Sequence, residues 1–376
     1  MANEWVGVIH STAPKYMKGA EDLTMRERIV LSYLKSKGRI RFNESSHTCI
    51  WDVEFSQPPI EPYADGGVLN FQRHDPMRQL VLDWRGYVGT DQMTRKERLM
   101  NTGNEAIYKR YDRIIPNLMK SITDKFGGEW MIDGYASGNE NRLCGIESFM
   151  KPAAAVTSVS KIALPGGVYA TRSTALQDQG GFWSADITST KRAYQESGGI
   201  ATDWPDGQGS VEYDYLSPKL LNTNHNWGGG GTGWDGGTGN GEYIIRQGVI
   251  WLSILGGETG MPDLFLTNGR MYSEYLNQQA KKQRIVVPHK KSEDLGFGNT
   301  VNQEGIGIHR DFDIKGGVGY FLNFDKMQLS SLHSELFFRS GPEWSIETQS
   351  WLFNIGFFGN MKFQPKYFGK VADFTV

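Results

Sequence analysis

SHTCIWDVEFSQ (46–57), PPIEPYADGG (58–67) and VLNFQRHDPMRQLVLDWRGYVGT (68–90) run without interruption into a helix start at Thr94. Cys49, Trp51, Val53 and Phe55 recur every second residue, with Asp52 and Glu54 between them, which is the period of a strand. On the return, Leu80 and Leu82 share one face and Val81 takes the other. The first segment has 12 residues, a reach of about 40 Å at roughly 3.3 Å per residue. A hairpin of that reach cannot bury both faces inside one small domain. The stretch therefore predicts an arm laid on a neighbour, and an assembly subunit before an enzyme.

The helix after the hairpin opens with a capping box, Thr94-Arg-Lys-Glu97. Its apolar stripe is Met100, Ile107, Tyr111, Ile114, Leu118 and Ile122. Pro116 removes one backbone donor and predicts a kink or a split, and Gly127-Gly128 predicts the end. A shorter helix precedes the hairpin. Thr24 to Glu27 spells a second capping box, Ile29, Val30, Tyr33 and Leu34 form one stripe, and Gly38 suits the position just past the end. Residues 1–22 show no period and read as an extended arm. Residues 15–41 hold eight Lys/Arg against three acids, either a solvated face or a sequence-blind contact with nucleic acid.

The chain has 376 residues, 39% hydrophobic and 12% aromatic, enough for two or three domains with a sizeable core. Forty Lys/Arg against 42 Asp/Glu give a formal charge of −2, unlike a protein that grips nucleic acid over its whole surface. Cys49 and Cys144 have no metal-ligand spacing and read as free thiols in a reducing compartment. No signal-peptide pattern opens the chain, and no apolar run approaches the ~18 residues that span a bilayer. An untrimmed chain, soluble and intracellular at synthesis, is the expectation. Glycine is abundant at 46 residues and tryptophan at 11, as in a turn-rich β protein.

Residues 134–242 are turn-rich, with strand-like pieces such as SVSKIAL (158–164). GGGGTGWDGGTGNG (228–241) has nine glycines in fourteen residues. It lacks the Lys-Ser/Thr of a phosphate-cradling loop and reads as a flexible loop before an apolar helix, 242–255. MPDLFLTNGRMYSEYLNQQAKKQRIVV (261–287) reads strand, helix, strand: Leu264 to Leu266, a helix capped by Asn268, then Arg284 to Val287. The last seventy residues are β-rich, and no internal repeat is present.

Support for catalysis is thin. No HExxH pair and no GxSxG elbow occurs. Asp311 and Asp313 flank Phe312 on an expected strand, which puts both carboxylates on one face, either for acid/base or cation chemistry or as an exposed acidic pair. Asp178, Asp186 and Asp203 lie in loops with no telling spacing. No catalytic, cofactor-binding or metal residue is assigned.

The order of elements resembles the major capsid protein of tailed bacteriophages, a fold shared with encapsulins and the herpesvirus capsid floor. Thr94 to Phe126 is similar to the family's spine helix, MPDLFLTNGRMYSEYL to the strand-turn-helix of its axial lobe, and GIGIHRDFDIKGGVGYFLNFDKMQL (305–329) to its aspartate strand, turn and aromatic strand. SIETQSWLFNIGFFGNMKFQPKYF, with Pro365 and Phe368, resembles its final strand pair. The resemblance implies an α+β fold: an N-terminal arm with a short helix (1–42), an extended two-stranded loop (43–92), a peripheral domain with the spine helix (93–143), an axial domain (144–304) and return strands (305–376).

It further implies a virion protein made in the host bacterial cytoplasm that self-assembles as hexamers and pentamers into an icosahedral shell around double-stranded DNA. The DNA would be held by non-specific contact, with a portal protein at the genome entrance, no cofactor and no membrane. Only about forty residues precede the hairpin, which implies a separate scaffolding protein. Some family members crosslink a loop lysine to a neighbour's asparagine, but no lysine lies between Lys37 and Lys96. The arm is therefore expected to hold by contact alone, with a decoration or cement protein as a supplement. Trp51, Phe55, Phe71, Arg73, Arg78, Trp84 and Arg85 are its candidate intersubunit contacts, by the interface bias toward aromatics and Arg. The same aromatics serve equally well to cover the hairpin's own root. Three alternatives stand beside this reading: an encapsulin-type compartment shell, a β-rich carbohydrate-active enzyme working through two carboxylates, and a tail or baseplate protein.

Overall fold

The computed structural model describes residues 28–44, 46–54, 60, 62, 71, 77–100, 104–152, 154–163, 165–166, 168–173, 216, 218–228, 230–236, 239–280 and 301–375. The described chain clusters into two compact units. One comprises Met1–Ser46, Trp84–Ser148 and Pro262–Gln364, the other His47–Asp83, Phe149–Met261 and Pro365–Val376.

The first unit begins with helix α1 (Ile29–Ser36), whose stripe Ile29, Val30, Tyr33 and Leu34 is buried as its spacing predicts. Its end is a Schellman turn: the Arg39 amide donates to Leu34 O at 2.8 Å, the Gly38 amide donates to Lys35 O at 3.1 Å, and Gly38 has φ +64°. The capping box expected at Thr24 to Glu27 lies outside the described residues. Strand β1 (Ile40–Arg41) then pairs in parallel with β13 (Met327–Ser331).

The main sheet of this unit is built on β15 (Ser350–Phe363), a strand of 14 residues. Along one side β15 pairs antiparallel with β4 (Arg85–Thr94), from Ser350↔Thr94 to Gly359↔Arg85. Its other side is shared by β14 (Phe338–Ser345) and β13. Helix α2 (Arg95–Met100) follows β4 through the predicted capping box. The Thr94 amide donates to Glu97 Oε2 at 3.0 Å, and the Glu97 amide donates to Thr94 Oγ1 at 3.3 Å. Helix α3 (Asn104–Glu129) comes next, so the single helix read from sequence is described as two. Pro116 sits inside α3, and the helix runs through Gly127-Gly128 to Glu129 rather than ending there.

Leu118, Ile122 and Phe126, spaced by four, turn one face of α3 onto the sheet. Gly89 lets the helix approach: a Cβ there would sit 3.5 Å from the Ile122 side chain and 3.6 Å from Leu118. The Phe126 ring meets Tyr87 and Phe357 edge-on, with centroids 5.7 and 4.7 Å away. Burying each such side chain contributes about 1.5–3 kcal/mol relative to leaving it in water.

Four further strands of this unit run in the order β10 (Val301–Gln303), β11 (Ile306–Arg310), β9 (Leu264–Thr267) and β12 (Gly319–Leu322). β10 and β11 are joined by Glu304-Gly305, with φ 51° and 84°, the two left-handed residues of a type I′ hairpin turn. Helix α5 (Gly269–Ala280) starts as predicted: Asn268 Oδ1 accepts from the Met271 amide at 2.9 Å. The strand read at Arg284 to Val287 lies outside the described residues.

The second unit holds the hairpin, β2 (Cys49–Glu54) antiparallel to β3 (Met77–Leu82). Cys49 faces Leu82 and Trp51 faces Leu80, and Cys49, Leu80 and Leu82 are buried. The long return strand read from sequence is thus two strands, β3 and β4, that belong to different sheets. This unit also contains β5 (Ile162–Ala163), β8 (Lys219–Asn222) and β16 (Gly369–Ala372) side by side, with helix α4 (Asn240–Gly256) packed on β8 and β16. A short hairpin, β6 (Val168–Tyr169) and β7 (Arg172–Ser173), turns at Ala170 and Thr171 with φ 49° and 65°. Among the described residues no helix is long and apolar enough to cross a membrane.

Candidate assembly surface

Three of the seven candidate contact residues are engaged within their own chain. The Trp84 indole N–H donates to Ser46 O at 2.8 Å, which ties the chain entering the hairpin to the chain leaving it. Arg85 Nη1 donates to Asn139 O at 3.1 Å and to Arg142 O at 3.3 Å. The Trp51 ring lies 6.4 Å from that of Tyr169, which also touches Phe149. Phe71 is 90% exposed. Phe55, Arg73 and the Arg78 side chain lie outside the described residues.

The base of α3 is held by a polar node that sequence reading missed. Glu129 is 1% exposed yet charged. Arg142 reaches it through Nη2 to Oε1 at 2.6 Å and Nε to Oε2 at 3.1 Å. The Tyr87 hydroxyl donates to Oε2 at 2.5 Å and accepts from the Leu143 amide at 2.7 Å. Burial pushes the Glu129 carboxyl up, but the Arg142 and Tyr87 hydrogen bonds together hold it below the usual carboxylate range. Burial, followed by the Glu129 bond, drives the Tyr87 phenol far above its usual value. The node clamps strand β4, the end of α3 and the loop 139–143 together.

Asp311 and Asp313 do not sit on a strand face. β11 ends at Arg310, and the two residues fall in the bend beyond it. The Asp313 amide donates to Asp311 Oδ1 at 3.0 Å, while the Asp313 carboxylate pairs closely with Arg28. Arg28 also lies 3.4 Å from Asp124 on α3. Burial pushes the Asp311 carboxyl up. The pair closes a turn, and one member is already neutralised by a guanidinium. Asp178, Asp186 and Asp203 lie outside the described residues.

The glycine-rich segment also departs from its reading. The buried Asn240 side chain opens α4 and holds the described part of the loop in place. Its Oδ1 accepts from the Trp227 amide at 2.9 Å, and its Nδ2 donates to His225 O at 3.2 Å and to Gly233 O at 2.5 Å. Trp227 and Trp234 are both buried. Nearby, Lys161, Asn226, Trp227, Gly228, Gln247 and Trp251 line a recess of about 330 Å³. Its lining has no carboxylate, hydroxyl or thiol side chain. Among the described residues no cluster of His, Cys, Asp and Glu could hold a metal ion.

The sheet face away from α3 carries solvent-exposed apolar residues. Val88 is 52%, Phe358 43% and Leu352 39% exposed, and the Phe358 ring stacks on Phe338 at 5.0 Å.

No protein-family model matches the chain. No curated protein matches it either. Solved structures similar to it include phage capsids, a GTA capsid and an encapsulin. The capsid of the native GTA particle is 10% identical with a TM-score of 0.49, covering 91% of this chain and 89% of its own. The cyanophage A-1(L) capsid is 12% identical with a TM-score of 0.49, covering 90% and 91%. The holo-SrpI encapsulin complex from Synechococcus elongatus is 7% identical with a TM-score of 0.37, covering 81% and 78%. At these identities no residue role passes from them to this chain.

Proposed function

We propose that this chain is the major capsid protein of a tailed bacteriophage, a non-enzymatic subunit that self-assembles into an icosahedral shell around double-stranded DNA. The observation that carries the reading is the order of elements across the decisive stretch. A two-stranded hairpin passes directly into a long strand, then through a capping box into two helices, the second lying on the sheet that the long strand helps to form. This is the order that the sequence resemblance implies, with α3 as the spine helix. Under this reading the hairpin lies across a neighbouring subunit, and the hexamers and pentamers form with the help of a separate scaffolding protein. A portal protein and a decoration protein complete the partners.

Negative-stain microscopy of the expressed chain, with and without scaffold, tests the proposal. Closed shells are the expected result, and a stable monomer under all assembly conditions would overturn it. Nuclease-protected DNA inside such shells separates a phage capsid from an encapsulin, whose shell would enclose a protein cargo.

A further inference from the structure

Strand β4 leaves one edge open. β15 occupies the other side along its whole length, and no strand pairs with the second edge among the described residues. In a strand, successive residues point their N–H and C=O groups to opposite sides. The even-numbered residues of β4 point away from β15. The Gln92 amide is taken by Asp91 Oδ1 at 2.7 Å and the Thr94 amide by Glu97, neither of them a ladder bond, whereas the Arg95 amide bonds Gln349 O toward β15. The outward amides of Gly86, Val88 and Thr90 have no partner among the described residues.

The edges of this sheet differ. The opposite edge strand, β14, is blunted by Gly341-Pro342 and by a register shift between Ser340 and Glu343. Proline and bulges are the usual devices that stop edge strands from pairing with other chains. β4 has neither over its ten residues. From Gly86 to Thr90 it presents an open row of outward donors and acceptors about 13 Å long.

We infer that the open edge of β4 pairs antiparallel with the same edge of a second copy of this chain, in a register centred on Val88. The three free amides are symmetric about that residue, so a two-fold axis at Val88 satisfies all of them in both copies. Val88 then faces the partner's Val88, and Gly86 faces the partner's Thr90, where the missing side chain leaves room. The same register sets Arg85 opposite the partner's Asp91, in a pair of the closely spaced kind. Both are equipped for it. Only Nη1 of Arg85 is spent on carbonyls of its own chain, and Asp91 Oδ2 is unengaged among the described residues. The pairing also places the exposed Val88 side chain against an apolar equal.

Cysteine substitution tests the register in the full-length chain, whose native thiols Cys49 and Cys144 are both buried. In this pairing the two copies' residue 88 lie with Cα atoms about 5.5 Å apart, within the span of a disulfide. Their residues 90 lie four positions apart along the strands, about 13 Å. Val88→Cys is expected to convert monomer to disulfide-linked dimer on mild oxidation, while Thr90→Cys stays monomeric on a denaturing gel. Equal crosslinking of the two, or none at Val88→Cys, would overturn the inference. Val88→Pro and Val88→Lys should lower the dimer signal in native mass spectrometry with melting temperature preserved. An unchanged dimer in a folded Val88→Lys protein would also overturn it. The outcome is independent of the capsid reading: closed shells without crosslinks at residue 88 would sink only the pairing, and crosslinked dimers that never form shells would sink only the capsid.

Discussion

The Tyr87 hydroxyl bonds Glu129 Oε2 at 2.5 Å while it receives the Leu143 amide at 2.7 Å, so one phenol oxygen joins strand β4, helix α3 and the following loop. Tyr87→Phe leaves the ring on Phe126 but strips a buried carboxylate of a donor and a backbone amide of its acceptor. The expected cost is about 1–3 kcal/mol. It would appear as a lower denaturant midpoint at unchanged slope. A midpoint equal to that of the parent would show that the node contributes little.

Acid should weaken the same node. The Glu129 carboxyl is held below its ordinary value of 4.5 in the folded chain. A group depressed by folding stabilises the fold above its unfolded pKa, and that stability is lost as pH falls through the folded value. Asp325 behaves the same way through its bond to Lys37. The part of the stability that these two carboxylates supply is therefore expected to be complete above roughly 5 and to decline below about 4.5. Glu129→Gln should flatten part of that decline in thermal melts across the acid range. An identical acid slope in the variant would assign the loss to other carboxylates.

Two glycines in the same sheet should respond unequally to alanine. At Gly359 a Cβ would collide with the Ser330 carbonyl and the Phe357 ring, and the carbonyl belongs to a paired strand that cannot retreat. Gly359→Ala is expected to cost about 1–3 kcal/mol through overpacking. At Gly89 a Cβ meets Ile122 at ordinary contact distance, so Gly89→Ala should stay within about 0.5 kcal/mol of the parent. Calorimetric melts of the two variants side by side check the contrast.

Asn240→Ala removes one acceptor and two donated bonds at a residue with no exposed surface. The stranded Trp227 amide and the His225 and Gly233 carbonyls should together cost on the order of 2–3 kcal/mol. Faster proteolysis within 228–239, with a red-shifted tryptophan emission, is the expected signature. An unchanged cleavage rate would show that the loop is held by other contacts.

The run from Gly38 to Arg95 contains no lysine. Assembled shells boiled in denaturant are therefore expected to release single chains, since the hairpin offers no amine for an isopeptide bond. A ladder of covalent multimers on the gel would overturn this.

Local chemistry was legible in the sequence, and long-range pairing was not. The Thr94-Glu97 box, the Asn268 cap, the glycine past the end of α1 and the alternation along β2 all follow from neighbours a few residues apart. The break between β3 and β4 could not be read, because β4 is defined by β15, some 260 residues later in the chain. Asp311 and Asp313 continue the alternation of β11, yet they lie past its end, where an Arg28 bond and an Asx-type turn take over. The glycine-rich run looks free in composition, but a single buried asparagine anchors it. Trp84 and Arg85 find their partners among backbone carbonyls, which leave no signature in sequence.

The hairpin at Ala170-Thr171 takes two consecutive left-handed residues without a glycine, and a β-branched threonine is among the least suited to that conformation. Neither residue type favours such a turn, so the pairing and packing around it must hold it. Tyr169, fully buried between Trp51 and Phe149, is the side chain positioned to do so. This short hairpin acts as a gauge of the second unit's aromatic core: it keeps its shape only while those rings stay packed, and it would be among the first segments to relax if they loosened.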